Sequence, residues 1–201
     1  DDKMRTPKID REYVEIYPVN WDNITQEMVN KIFTTRSFEK LDEISLYVHI
    51  PFCPQICPFC KFNVILYDHS LYKEYIKALK KEISFYRGHP DVQNRKVTTI
   101  FFGGGTTSML TPEDVEELLN LIRDIFHTSK DTEITIECHP NTISKEKLQC
   151  YKDMGVNRIT IGVQSFQDEN LKAIGRNHTA KHNEEILHKA IDMDFDKVTI
   201  D

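Results

Sequence analysis

From residue 45 onward, short β-rich runs alternate with amphipathic stretches of helical period, and this alternation leaves few folds open. The runs are Ser45–Ile50, Val97–Phe102, Glu133–Glu137, Arg158–Val163 and Lys197–Asp201. After the first, Tyr72, Tyr75, Ile76, Leu79, Ile83 and Tyr86 recur at i, i+3/i+4 and predict a helix over about 70–87. The next helix is predicted from Thr111, an N-cap followed by Pro112 and the first-turn acids Glu113 and Asp114. Its apolar face is Val115, Leu118, Leu119, Ile122 and Phe126. Ser144 caps a third helix that Gly155 stops, and helices over 168–174 (closed by Gly175) and about 180–193 complete the series. Strands joined by helices pair in parallel through right-handed crossovers. A complete (β/α)₈ barrel takes about 250 residues, so five strands imply an open sheet, a partial barrel or a truncated one.

Residues 1–44 lie outside this alternation and read as an ordered N-terminal arm. The arm holds Pro7, Pro18 and Trp21, with a helix-like stretch from Thr25 to Phe33. The expected division is 1–44 as leader and 45–201 as core. An apolar share of 39% and a charged share of 29% fit a globular protein and argue against disorder. The net charge of −6 argues against non-specific nucleic-acid binding. No apolar run approaches the roughly 20 residues of a membrane span. The charged start Asp1-Asp2-Lys3-Met4-Arg5 leads into no apolar signal segment, so a cytoplasmic location is expected.

In parallel sheets with helical crossovers, ligands sit at the carboxyl ends of the strands. The scarce residues of this chain fall there. Of 7 glycines, Gly103, Gly104 and Gly105 are consecutive and follow the second run; of 5 cysteines, Cys53, Cys57 and Cys60 follow the first. Glu137 and Asp201 end the third and fifth runs, and Gln164 follows the fourth. An iron–sulfur cluster of the electron-transfer kind takes four cysteines. Three on one loop leave one iron of a cubane open to a small chelating molecule. A zinc site completed by His49 or His69 is the alternative. Cys138 and Cys150 read as ordinary buried or half-buried thiols. A glycine triplet lets backbone approach a ligand, but the Gly-Lys-Ser/Thr ending of a phosphate loop is absent.

The spacing Cys53-x₃-Cys57-x₂-Cys60, with Phe59 before the last cysteine, resembles the motif of the radical S-adenosylmethionine (SAM) superfamily. The stretch Tyr47-Val-His-Ile-Pro-Phe-Cys53 narrows the resemblance to the branch of oxygen-independent coproporphyrinogen III oxidase, the related heme chaperone and the two-SAM methyltransferases. The resemblance runs from about Leu46 to Asp201. It implies an α/β fold, a partial (β/α) barrel of parallel strands of the radical SAM type, truncated after strand 5. It also implies a [4Fe–4S] cluster on Cys53, Cys57 and Cys60, with SAM, in one or two copies, as the second cofactor. Tyr47 and Gly104 would then face the first SAM. Phe59, Gly105, Thr106, Gln164, Arg176 and Asp201 would face the second. Glu137 is a carboxylate suited to SAM's sulfonium and ammonium. The function implied is reductive cleavage of SAM to a 5′-deoxyadenosyl radical. The substrate would be a small molecule, for instance a tetrapyrrole, and the electron donor a flavodoxin or ferredoxin. No residue is assigned to catalysis.

Two departures bear on the choice within the branch. The oxidase resemblance calls for a fourth cysteine two residues after the third, where this chain has Phe62. Thr106-Thr107-Ser108 stands where the family often has Thr-Pro. A two-SAM methyltransferase and a heme chaperone with little turnover therefore remain alternatives to an oxidase-like enzyme. A zinc-stabilised α/β binding module remains the plain one.

Overall fold

In a computed structural model of the chain, the described residues are 42–89, 92 and 94–201, with Thr25 and Glu27 alone from the leader. The leader and its expected helix over 25–33 otherwise lie outside the described residues.

All five expected strands form, and they pair in sequence order in one parallel sheet. Strand β1 is Glu43–Ile50. After it come β2 (Phe52–Cys53), β3 (Ile65–Leu66) and helix α1 (His69–Phe85). Strand β4 (Lys96–Gly104) leads to α2 (Pro112–Ile125), and β5 (Glu133–Cys138) leads to α3 (Lys145–Asp153). Strand β6 (Arg158–Ile161) is followed by the short α4 (Asp168–Ala173), by α5 (Ala180–Asp192) and by β7 (Lys197–Ile200). The sheet order is β1-β4-β5-β6-β7, every neighbour parallel. This is the partial (β/α) barrel. Residues 42–201 make one compact unit.

Helix signals in the sequence act as read. The Thr111 side chain accepts from the Asp114 N–H at 3.1 Å, and Ser144 caps α3 by accepting from Lys147 at 3.2 Å. Thr179 caps α5 in the same way. Val115, Leu118, Leu119 and Ile122 bury the inner face of α2 against the sheet. Along β1, Val48 and Ile50 go into this core with Ile44 and Leu46 packed on it, while Tyr47 and His49 alternate to the opposite face. Burying such side chains contributes on the order of 1.5–3 kcal/mol each.

Two differences matter. Strand β1 starts at Glu43, because Glu43 and Ile44 continue the pairing with β4 across an irregularity before Ser45. The loop after β1 also carries its own two-stranded parallel pair, β2 with β3. Phe52 and Cys53 are too few to give a periodic signal; the pair closes because Tyr67 N–H reaches the Cys53 carbonyl at 2.8 Å.

Candidate functional site

The carboxyl ends of the five strands open onto a cavity of about 500 Å³. Cys53, Cys57, Cys60 and Phe59 line it from the 53–60 loop, and Gly104, Gly105 and Thr106 from the end of β4. Glu137, Gln164, Arg176 and Asp201 line it from the later strand ends. Thus eleven of the twelve residues singled out in the sequence border one space. Tyr47 does not. It lies on β1, 60% exposed, its ring 6.0 Å from that of Phe101 and its hydroxyl 3.1 Å from His49 Nδ1.

The three thiols share an electrostatic environment. Burial pushes the Cys53 thiol up from its ordinary value; a hydrogen bond to Thr106 opposes this, and Cys60, Cys57 and Arg176 are all close enough to act on it. Cys57 and Cys60 are half-buried free thiols. Among the described residues, no three His, Cys, Asp or Glu side chains are set to hold a single metal ion. His49 engages both ring nitrogens, Nδ1 with Tyr47 and Nε2 with the Asn63 carbonyl at 3.0 Å. His69 Nδ1 sits 3.2 Å from the Tyr67 hydroxyl. Among the described residues, neither histidine joins the thiols in a group that could hold a metal ion. Cys138 borders the cavity but is buried, its thiol pushed up to about 12 by desolvation, so it behaves as an inert hydrophobe.

The glycine run answers first to packing within the protein. A Cβ on Gly105 would stand 2.7 Å from the Phe52 carbonyl oxygen, and one on Gly104 would stand 2.6 Å from the His49 ring. Gly105 N–H donates to Ile50 O at 2.7 Å and Thr106 N–H to Phe52 O at 2.8 Å. The β4 end is thereby pressed against the start of the cysteine loop, and both walls of the cavity are set by one ladder.

Glu137, next to last in β5, lies beside this seam. Its Oε2 accepts from the Gly104 N–H at 3.2 Å. Burial holds its carboxyl above the usual range; the Gly104 bond pulls it down, and the Asp201 charge pushes it up. Two carboxylates near each other in a half-buried site favour a cation between them. Arg176 lies elsewhere on the wall, 5.5 Å over the Phe59 ring, with its Nε buried and without a partner. The cavity therefore has an acidic part and a basic part, which suits a zwitterion.

Gln164 adopts a left-handed backbone, φ 64°, which an L-residue holds only when its surroundings impose it. Its N–H donates to Asp201 O at 2.6 Å. Asn183 of α5, fully buried, donates from Nδ2 to Val163 O at 3.0 Å and Ser165 O at 2.9 Å, gripping the turn from below. The sequence reading missed Asn183. Its signal was an amide in register with the apolar Ile186, Leu187 and Ala190 of α5. It also missed His139 and Gln55, which border the cavity without belonging to a motif.

Comparison with known proteins agrees with this geometry. The family model of the radical SAM superfamily matches residues 47–201. The heme chaperone HemW of Bacillus subtilis (strain 168) is 37% identical over 161 residues, 78% of this chain and 41% of its own length. An oxygen-independent coproporphyrinogen III oxidase of Synechocystis sp. (strain PCC 6803) is 33% identical over 182 residues, 86% of this chain and 39% of its own. Among solved structures, coproporphyrinogen III oxidase (HemN) from Escherichia coli, described as a radical SAM enzyme, superposes with a TM-score of 0.76 at 28% identity, covering 95% of this chain and 44% of that one. The chain thus spans about two fifths of the length of these relatives. With the family match running from β1 through β7, the chain belongs to the radical SAM superfamily.

Proposed function

We propose that this chain carries the SAM-cleaving core of an enzyme related to oxygen-independent coproporphyrinogen III oxidase, with a tetrapyrrole as substrate. The observation that carries the proposal is the single cavity that gathers three thiols, two carboxylates and an arginine from five strand ends. The donor set fits the cofactors. Cys53, Cys57 and Cys60 would hold a [4Fe–4S] cluster, since three thiols of one loop face one space. When bound, such a cluster supplies one electron to the sulfonium of SAM, with a reduced flavodoxin or ferredoxin as its source.

The protein's own share is placement. Glu137 and Asp201 would face the positive groups of SAM, and Arg176 its carboxylate, a pairing that the guanidinium fork favours. Gln164 offers one donor and one acceptor to a second SAM or to the substrate. Phe59, its ring held under Arg176, supplies a flat apolar face. Gly104, Gly105 and Thr106 complete the wall at the end of β4. The fold holds these groups before the ligand arrives, so binding costs little reorganisation.

A second reading is a heme chaperone with little turnover. Phe62 favours it: where the oxidase resemblance calls for cysteine, an exposed aromatic ring borders the cavity. The names of several relatives point the same way. The methyltransferase reading draws no support from the relatives reported above. One experiment separates the two. Anaerobically reconstituted protein, given dithionite and SAM, should release 5′-deoxyadenosine over many turnovers. Stoichiometric heme uptake with no release would support the chaperone and sink the enzyme.

A further inference from the structure

His139 follows Glu137 by two positions and borders the same cavity, yet it belongs to no motif. Its surroundings fix it closely. The backbone N–H donates to Ser108 Oγ at 2.9 Å, and the carbonyl accepts from Thr142 N–H at 2.9 Å and from its hydroxyl at 3.0 Å. The ring packs edge-on against His178, centroids 5.1 Å apart at 79°.

The side-chain bond decides the tautomer. Nδ1 accepts from the Asn141 N–H at 3.1 Å. A backbone N–H can only donate, so Nδ1 presents a lone pair and the proton of a neutral ring sits on Nε2. The neighbouring imidazoles are engaged differently: His182 Nε2 lies 3.2 Å from the Pro140 carbonyl, and His178 Nε2 lies 3.4 Å from the Val163 carbonyl. Among the described residues, the hydrogen bonds of His139 run through its backbone and Nδ1, which leaves the Nε2–H to the cavity.

The electrostatics keep this donor neutral. Burial, then the charges of Arg176, His178 and His182, hold the ring far below the ordinary histidine range, at about 3. Arg176 borders the same cavity, with its Nε buried and without a partner. A fixed neutral donor and a guanidinium on one cavity wall are together complementary to a carboxylate: the arginine supplies charge and the imidazole a second direction.

We propose that His139 and Arg176 jointly bind a carboxylate of the molecule that fills the cavity, His139 donating from Nε2 as a neutral imidazole. The assignment rests on the SAM-binding reading above and adds a selectivity residue to it.

The test uses reconstituted protein and two probes, SAM and its decarboxylated analogue, with affinities measured by equilibrium dialysis. His139→Ala should weaken SAM about 10-fold, the size of one neutral hydrogen bond, and leave the decarboxylated analogue unchanged. His139→Gln, whose amide can donate from a similar place, should recover most of the loss. Equal weakening of both probes would mark a merely structural role and overturn the proposal. So would unchanged SAM affinity in His139→Ala while Arg176→Ala binds weakly; the SAM reading would then stand without His139. No SAM binding by the unmutated protein would overturn that reading, and this proposal with it.

Discussion

The side chain of Gln55 donates from Nε2 to the carbonyl of Gly175 at 2.5 Å, joining positions 120 residues apart in the chain. Gly175 is left-handed, φ 72°, and a Cβ there would stand 2.8 Å from Pro58 Cδ. Phe59, one residue on, lies under Arg176. The cysteine loop and the 175–177 turn are thus held as one unit: whatever orders Arg176 also orders the loop that carries Cys57 and Cys60.

Gly175→Ala should disturb that unit. The left-handed backbone alone costs roughly 1–2 kcal/mol for a residue with a Cβ, and the clash with Pro58 pushes on the cysteine loop. Gln55→Ala should cost about 1 kcal/mol, one hydrogen bond, without the clash. Urea unfolding measures the stability of each. Iron and sulfide incorporated on anaerobic reconstitution measure the loop, and they should fall more in Gly175→Ala.

Cys57 and Cys138 both border the cavity, but only Cys57 belongs to the loop triplet. Cys57→Ala should abolish iron and sulfide incorporation on reconstitution. Cys138→Ala should leave it intact. A full cluster complement in Cys57→Ala would refute the ligand assignment.

Glu137→Gln should stabilise the protein at neutral pH while weakening SAM. The carboxyl's folded-state value is raised, chiefly by burial, so its ionisation works against the fold. The contribution of a raised group is fully present below its unfolded value and is lost as pH rises through its folded value. The variant's advantage in Tm should therefore appear above the ordinary carboxylate range and vanish in more acid solution, where Glu137 is protonated in both states. The amide keeps an oxygen for the Gly104 N–H. Loss of the negative charge should weaken SAM about 10- to 100-fold, as expected for a charged hydrogen bond.

Asn183→Ala should destabilise by about 2–3 kcal/mol, because it leaves the Val163 and Ser165 carbonyls without their shared donor. The turn between them holds Gln164 in its left-handed conformation. Thermal unfolding measures the loss. Binding of SAM below the unfolding transition should weaken as well, although Asn183 does not line the cavity.

Much of the fold was legible because its signals are local. Thr111 and Ser144 cap helices by bonds three residues long, and the apolar face of α2 repeats at helical period. The cysteine spacing likewise survives as a pattern along one loop. Gln55 and His139 carry no such signal. Each has its role through a partner distant in sequence or in a neighbouring turn, and nothing in the chain near Gln55 points to Gly175. Tyr47, inside a recognisable motif, stands beside the cavity lining: its ring stacks on Phe101 and the Glu137 charge acts on its hydroxyl.

Residue pattern alone carried the parallel sheet with its helical crossovers and the three thiols after the first strand. Those follow from period, capping and spacing, which act over a few residues. Packing alone brings the glycine run against the cysteine loop and Arg176 over Phe59. These depend on which backbone atoms come within hydrogen-bond or van der Waals reach once the strands are in register, and register is a property of the packed sheet.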